Sequence, residues 1–200
     1  LDTTVTVFGG SGFLGRNVVR ALCKRDYRVR VAVRRPELAG HLQPLGRVGQ
    51  IHAVQANVRY PASVEAAMRD SQVAINLVGI LAEGGGQSFD AVQVKGAETI
   101  AKAAAANGGR MVHVSAIGAD ANSPSLYARS KAAGEAAATS CAVGDRRARL
   151  ALWATDTVAL RATTSLEGTW PARRGMHRDR HRDPPIPVLE RQGAWDLWLD

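Results

Sequence analysis

Three observations predict an α/β fold with a doubly wound parallel sheet. Short apolar, β-branched runs alternate with amphipathic or alanine-rich stretches from residue 4 to about residue 140. The first run ends in a glycine cluster, Gly9-Gly10-Ser11-Gly12, that leads into an amphipathic stretch. Strand, helix and strand then fit within about 30 residues, the length of a βαβ unit.

The elements follow in order. Residues 4–8 are β-branched and apolar, as a strand buried on both faces requires. Residues 13–25 place Leu14, Val18, Val19, Ala21 and Leu22 on one side with Arg and Lys between them, which predicts a helix. Residues 28–33 read as strand two and residues 51–56 as strand three. Pro61 suits a helix start, and residues 62–69 continue that helix. Residues 73–78 read as strand four. The alanine-rich stretch 89–107 reads as a long helix stopped by Asn107-Gly108-Gly109. Residues 111–115 read as strand five, residues 127–139 as a helix, and residues 149–153 as a candidate sixth strand.

The glycine loop carries the first chemistry. Gly9 or Gly10 permits a sharp turn, Gly12 lets a phosphate approach the backbone, and Gly15 lets the helix pack against the sheet. With a strand before it and a helix after it, Gly9-Gly10-Ser11-Gly12-Phe13-Leu14-Gly15 predicts a Rossmann-type dinucleotide site, with the pyrophosphate at the positive end of the helix dipole. An NAD-selective site places a carboxylate near the end of strand two, for the ribose 2′-hydroxyl. Here Arg34 and Arg35 follow Val33. A carboxylate repels a 2′-phosphate and guanidinium binds it, so NADP(H) is favoured over NAD(H). Asn57, after strand three, joins the expected cofactor residues.

Tyr127 and Lys131 lie four residues apart, one helical turn, on the same helix face. An ammonium beside a phenol lowers its pKa, and such a phenol can exchange a proton with a carbonyl or alcohol oxygen. Lys131 also suits a hold on the nicotinamide ribose.

Composition bounds the rest. The 200 residues are 46% hydrophobic, enough for one globular domain with a sizeable core. No run of about 18 apolar residues predicts a membrane span, and no signal peptide is read at the start. Cys23 and Cys141 show neither metal nor redox spacing, and cytoplasm is the expected compartment. The net charge of +8 is spread out rather than gathered, which does not point to nucleic acid. It leaves open a basic pocket for a phosphorylated cofactor, or a face for an anionic membrane surface or an acidic partner. His177 and His181 are four apart, but the surrounding Arg, Asp and Pro lack helical period, so no metal site is expected.

Together the segments Val7-Phe-Gly-Gly-Ser-Gly-Phe-Leu-Gly-Arg16, Asn76-Leu-Val-Gly79, His113-Val-Ser-Ala116 and Tyr127-Ala-Arg-Ser-Lys-Ala-Ala-Gly-Glu135 carry a resemblance. The chain resembles the extended or atypical short-chain dehydrogenases/reductases, and within them the bacterial relatives of the nucleotide-binding accessory subunit of respiratory complex I. The resemblance covers about residues 4–140. It implies that Gly9, Gly12 and Gly15 form the cofactor loop and that Arg34 and Arg35 choose the cofactor. It places Val78 and Gly79 beside the adenine ribose and makes Tyr127 and Lys131 the catalytic pair. Ile117 occupies the place of the family's catalytic serine, with Ser115 or Ser125 as substitutes, and Gln93 stands for its helix Asn.

Residues 143–200 depart from that pattern. Every Trp lies beyond residue 142, and the last Lys is Lys131. The expected division is a dinucleotide-binding domain over 1–142 and, over 143–200, a divergent tail, frame-shifted or disordered, with the substrate region truncated or aberrant. The expected function is NADP(H) binding in structure or assembly alongside complex I subunits at the inner membrane face. The alternatives are an active reductase, dehydratase or epimerase acting on a nucleotide sugar or quinone-like carbonyl, and a redox-sensing regulator.

Overall fold

The computed structural model describes residues 3–141 together with two strands at 148–153 and 161–163. The strands are β1 (Thr4–Phe8), β2 (Arg28–Val33), β3 (Ile51–Gln55), β4 (Val73–Asn76), β5 (Arg110–Ala116), β6 (Ala148–Trp153) and β7 (Arg161–Thr163). The helices are α1 (Phe13–Lys24), α2 (Pro61–Met68), α3 (Lys95–Ala106) and α4 (Leu126–Ser140). The sheet order is β3-β2-β1-β4-β5-β6-β7. Pairing is parallel from β3 through β6, and β7 returns antiparallel against β6. This is the doubly wound Rossmann arrangement, whose order reverses between β1 and β4. The sixth strand is present, and all these elements fall in one compact unit, Leu1–Ser165. Most of the expected tail, including His177 and His181, lies outside the described residues.

β1 is buried at all five positions because helices cover both sides of the sheet. Its alternation sorts the two faces. Thr6 donates its hydroxyl to the Ala67 carbonyl of α2 at 3.1 Å, and Phe8 belongs to the core with Val64, Met68 and Ile100. Val5 and Val7, of opposite parity, face the other side. Full burial of Phe8, Met68 and Ile100 contributes about 2 kcal/mol each. Pro36–Leu45 forms a 3₁₀ segment that the sequence reading did not anticipate; it buries Ala39 and Leu42.

Two elements differ from expectation. β4 ends at Asn76 rather than Val78, because the Asn76 side-chain oxygen accepts the Val78 N–H at 3.0 Å and turns the chain out of the sheet. The long helix is continuous, as expected, but opens with a π-helical turn. Asp90–Val94 is that turn, and α3 follows from Lys95.

Candidate functional site

The ends of β1, β2, β3 and β4 surround an open cleft of about 310 Å³ at the point where strand order reverses. It is lined by Gly9, Ser11, Gly12, Arg34, Asn57, Val78 and Gly79, among others. An adjoining hollow is lined by Ser11, Val33, Arg34, Arg35 and Leu38, so Arg34 borders both spaces. No carboxylate lines either one.

The local structure follows from the glycines. Gly9 makes the turn at φ +79°, a conformation that disfavours any side chain. Gly12 caps α1 in an extended conformation, with no side chain closing the helix end. A methyl on Gly12 would meet only the Gly9 carbonyl oxygen, at 3.3 Å, so the space above it is open. A methyl on Gly15 would fall on the carbonyl groups of Gly9 and Gly10. Gly15 therefore seats the helix against the loop itself, where the sequence had suggested the sheet. Gly10 is buried, with Val31 Cγ1 3.0 Å from where its methyl would be. Phe13 is 71% exposed and Leu14 half-buried, and neither lines the cleft. The open backbone at Gly12, the uncapped positive helix end and the cationic rim fit a dinucleotide. Gly9, Ser11 and Gly12 would hold its pyrophosphate, and Arg34 and Arg35 would face its adenosine ribose.

Tyr127, Lys131 and Ser115 form a second group, on α4 and β5. Lys131 is buried, and its Nζ donates to the Val114 carbonyl at 2.9 Å. Burial pushes its pKa down to about 8, while Glu135 pulls it back up. Tyr127 packs edge-on to Phe89, ring centres 6.0 Å apart. Its pKa is raised by burial. This corrects the expectation that Lys131 would lower it: the ammonium is turned to a backbone carbonyl. Ser115 is buried, and its hydroxyl has no hydrogen-bond partner among the described residues. Ser125 spends its hydroxyl on the α4 N-cap, accepting from Ala128 N–H at 3.4 Å. Ile117 is 52% exposed.

Asn76 and Arg59, which the sequence left without a role, and Gln93, which stood for the family's helix Asn, tie the site together. Asn76 Nδ2 donates to His113 Nδ1 at 2.9 Å, so one amide links the cleft wall at Val78 to β5. Gln93, in the π-helical turn, donates to the Ile80 carbonyl at 2.6 Å and accepts from the Ser130 hydroxyl of α4 at 2.9 Å. Arg59 lines the cleft beside Asn57. The one local signal was an Asn at the end of an apolar run, a residue whose side chain readily bonds the backbone two residues on.

An NAD(P)H-binding family model matches residues 9–146. The 40 kDa subunit of NADH-ubiquinone oxidoreductase from Neurospora crassa is 36% identical over 133 residues, 66% of this chain and 36% of that protein. Subunit 9 of the NADH dehydrogenase [ubiquinone] 1 alpha subcomplex from Arabidopsis thaliana is 39% identical over 135 residues, 66% of this chain and 34% of that one. A ceramide reductase from Caulobacter vibrioides is 35% identical over 131 residues, covering 66% and 40%. The match thus spans little more than a third of these relatives' length. A Serratia marcescens short-chain dehydrogenase/reductase structure aligns with TM-score 0.59 at 23% identity, over 70% of this chain and 67% of that one, which supports the fold alone. Over the matched residues the chain is thus similar to subunits of NADH dehydrogenase, and it belongs to the NAD(P)H-binding family.

Proposed function

We propose that this chain binds NADP(H) in preference to NAD(H) and that the nucleotide serves structure or assembly alongside respiratory complex I subunits, at the inner face of the membrane. The observation that carries the cofactor choice is Arg34, which borders both hollows while no carboxylate lines either. A 2′-phosphate there meets guanidinium and no competing negative charge. The non-catalytic role is supported by the serines: Ser115 is shut inside and Ser125 caps a helix. The relatives named as complex I subunits support the setting. Among the described residues no helix is long and apolar enough to cross a membrane, so association there would be peripheral.

A second reading, an active reductase, is favoured by the relative named ceramide reductase. Bound nicotinamide would supply a hydride to a carbonyl carbon. Tyr127, kept protonated by its raised pKa, would give its phenolic proton to the carbonyl oxygen. Lys131 would have to leave the Val114 carbonyl to assist.

Calorimetric titration of the folded protein with NADPH and with NADH tests the cofactor reading. At least tenfold tighter NADPH binding is expected, and equal affinities would sink it. Turnover of a carbonyl substrate, lost in Tyr127→Phe, would replace the structural role by the catalytic one.

A further inference from the structure

The rim of the nucleotide cleft carries a cation that the sequence did not single out. Arg59 is half-buried, four residues past the end of β3. Its Nη1 donates to the Gly86 carbonyl at 2.8 Å, and its Nε reaches Asn57 Oδ1 at 3.5 Å. Arg34, at the end of β2, donates from Nη1 to Gln87 Oε1 at 3.1 Å. Both acceptors sit on one small turn. Gly84 and Gln87 exchange two backbone hydrogen bonds of 3.0 Å, and Gly85 and Gly86 have φ of 55° and 77°. Two positive φ values inside a two-residue loop define a type I′ turn. The Glu83 carboxylate, accepting the Phe89 N–H at 2.6 Å, clasps its base.

The chemistry of the partners points to a ligand. Each guanidinium is held by neutral oxygens, and no carboxylate among the described residues pairs with either. Phosphate oxygens make stronger, charge-assisted bonds than carbonyl or amide oxygens. A turn that aims two such groups at one cleft leaves them ready for an anion.

We propose that Arg59 is a second specificity-determining residue: with Arg34 it clamps the phosphate on the adenosine ribose of the nucleotide, aimed by the Gly84–Gln87 turn. This rests on the reading that the cleft takes NADP(H).

The test is calorimetry on the full chain with 2′,5′-ADP and 5′-AMP, which differ by that one phosphate. The wild-type chain is expected to prefer 2′,5′-ADP. Arg59→Met and Arg34→Met each cut the preference about tenfold, as loss of a charge-assisted bond does. Gln87→Ala, which frees Arg34, cuts it about threefold. Arg59→Lys keeps the charge without the fork and retains part of the preference, which reads the same contact should Arg59→Met fail to fold. If Arg34→Met cuts the preference and the Arg59 variants do not, Arg59 is no part of a clamp, while the NADP(H) reading stands. If Arg59→Met weakens both ligands equally, Arg59 serves adenosine or the fold, and the proposal falls. A wild-type chain that does not distinguish the two ligands overturns the NADP(H) reading itself.

Discussion

Lys131 shows how a single side chain can hold the fold and the site in tension. Its ammonium is buried against one backbone carbonyl, an environment that favours the neutral amine. The folded chain therefore releases this proton near pH 8, whereas the unfolded chain keeps it until about 10.5. Unfolding takes up a proton between those values, so this residue makes stability rise with pH across the window, by up to about 3 kcal/mol. Below pH 8 the cost is fully present. Lys131→Met is expected to be more stable than the parent at pH 7, and the gap to close as pH approaches 10. Urea melts of both proteins at pH 7, 8.5 and 10 read this directly. A gap that does not change with pH would mean the ammonium is not desolvated in the folded state. Such a residue was legible from sequence as one of a pair with Tyr127, because four-residue spacing on a helix is local. That it turns instead to Val114, 17 residues away, depends on packing that no local pattern encodes.

At the scale of elements, the hinge between β4 and the cleft wall rests on one buried amide. Asn76 is 1% exposed; its oxygen accepts from Val78 N–H and its nitrogen donates to His113 Nδ1. That assignment leaves the His113 proton on Nε2, which has no partner among the described residues. Burial and the nearby Lys131 charge push the His113 pKa down to about 3, so the ring is neutral at working pH. Asn76→Ala would orphan the Val78 N–H and the His113 ring together. Loss of about 3 kcal/mol is expected, since each stranded buried group costs about 1–3 kcal/mol. Looser nucleotide binding should accompany it, because Val78 lines the cleft. Thermal melts with and without NADPH check both effects; a variant as stable as the parent would mean that water replaces the amide. The glycine loop was legible because its requirements lie within seven consecutive residues. The Asn76–His113 and Gln93–Ser130 pairs each span 37 residues, and the π-helical turn at Asp90–Val94 lies inside a run whose alanine-rich periodicity reads as regular helix.

For the whole molecule, the succession of strands and helices that builds a doubly wound parallel sheet was legible from alternating patterns alone. The antiparallel return of β7 was not, since three residues carry no period to read. Charge is also a property of the whole. The chain carries a formal +8, and on the proposed NADP(H) reading its field would favour the more anionic nucleotide at a distance, while Arg34 and Arg35 would act at contact. Salt separates the two. Exposed charges more than about 10 Å apart are largely screened at 0.1 M ionic strength, and contact pairs much less. NADPH affinity should therefore fall more steeply than NADH affinity as salt rises from about 50 to 300 mM. In Arg34→Gln the advantage of NADPH at 300 mM should fall about tenfold, as expected for Arg34→Met, while a salt-sensitive advantage persists at 50 mM. Titrations of both proteins with both nucleotides at the two salt concentrations decide it. If Arg34→Gln keeps the full NADPH advantage at 300 mM, the discrimination does not come from that guanidinium. If its NADPH advantage is absent even at 50 mM, the molecule's overall charge contributes nothing and the preference is wholly local.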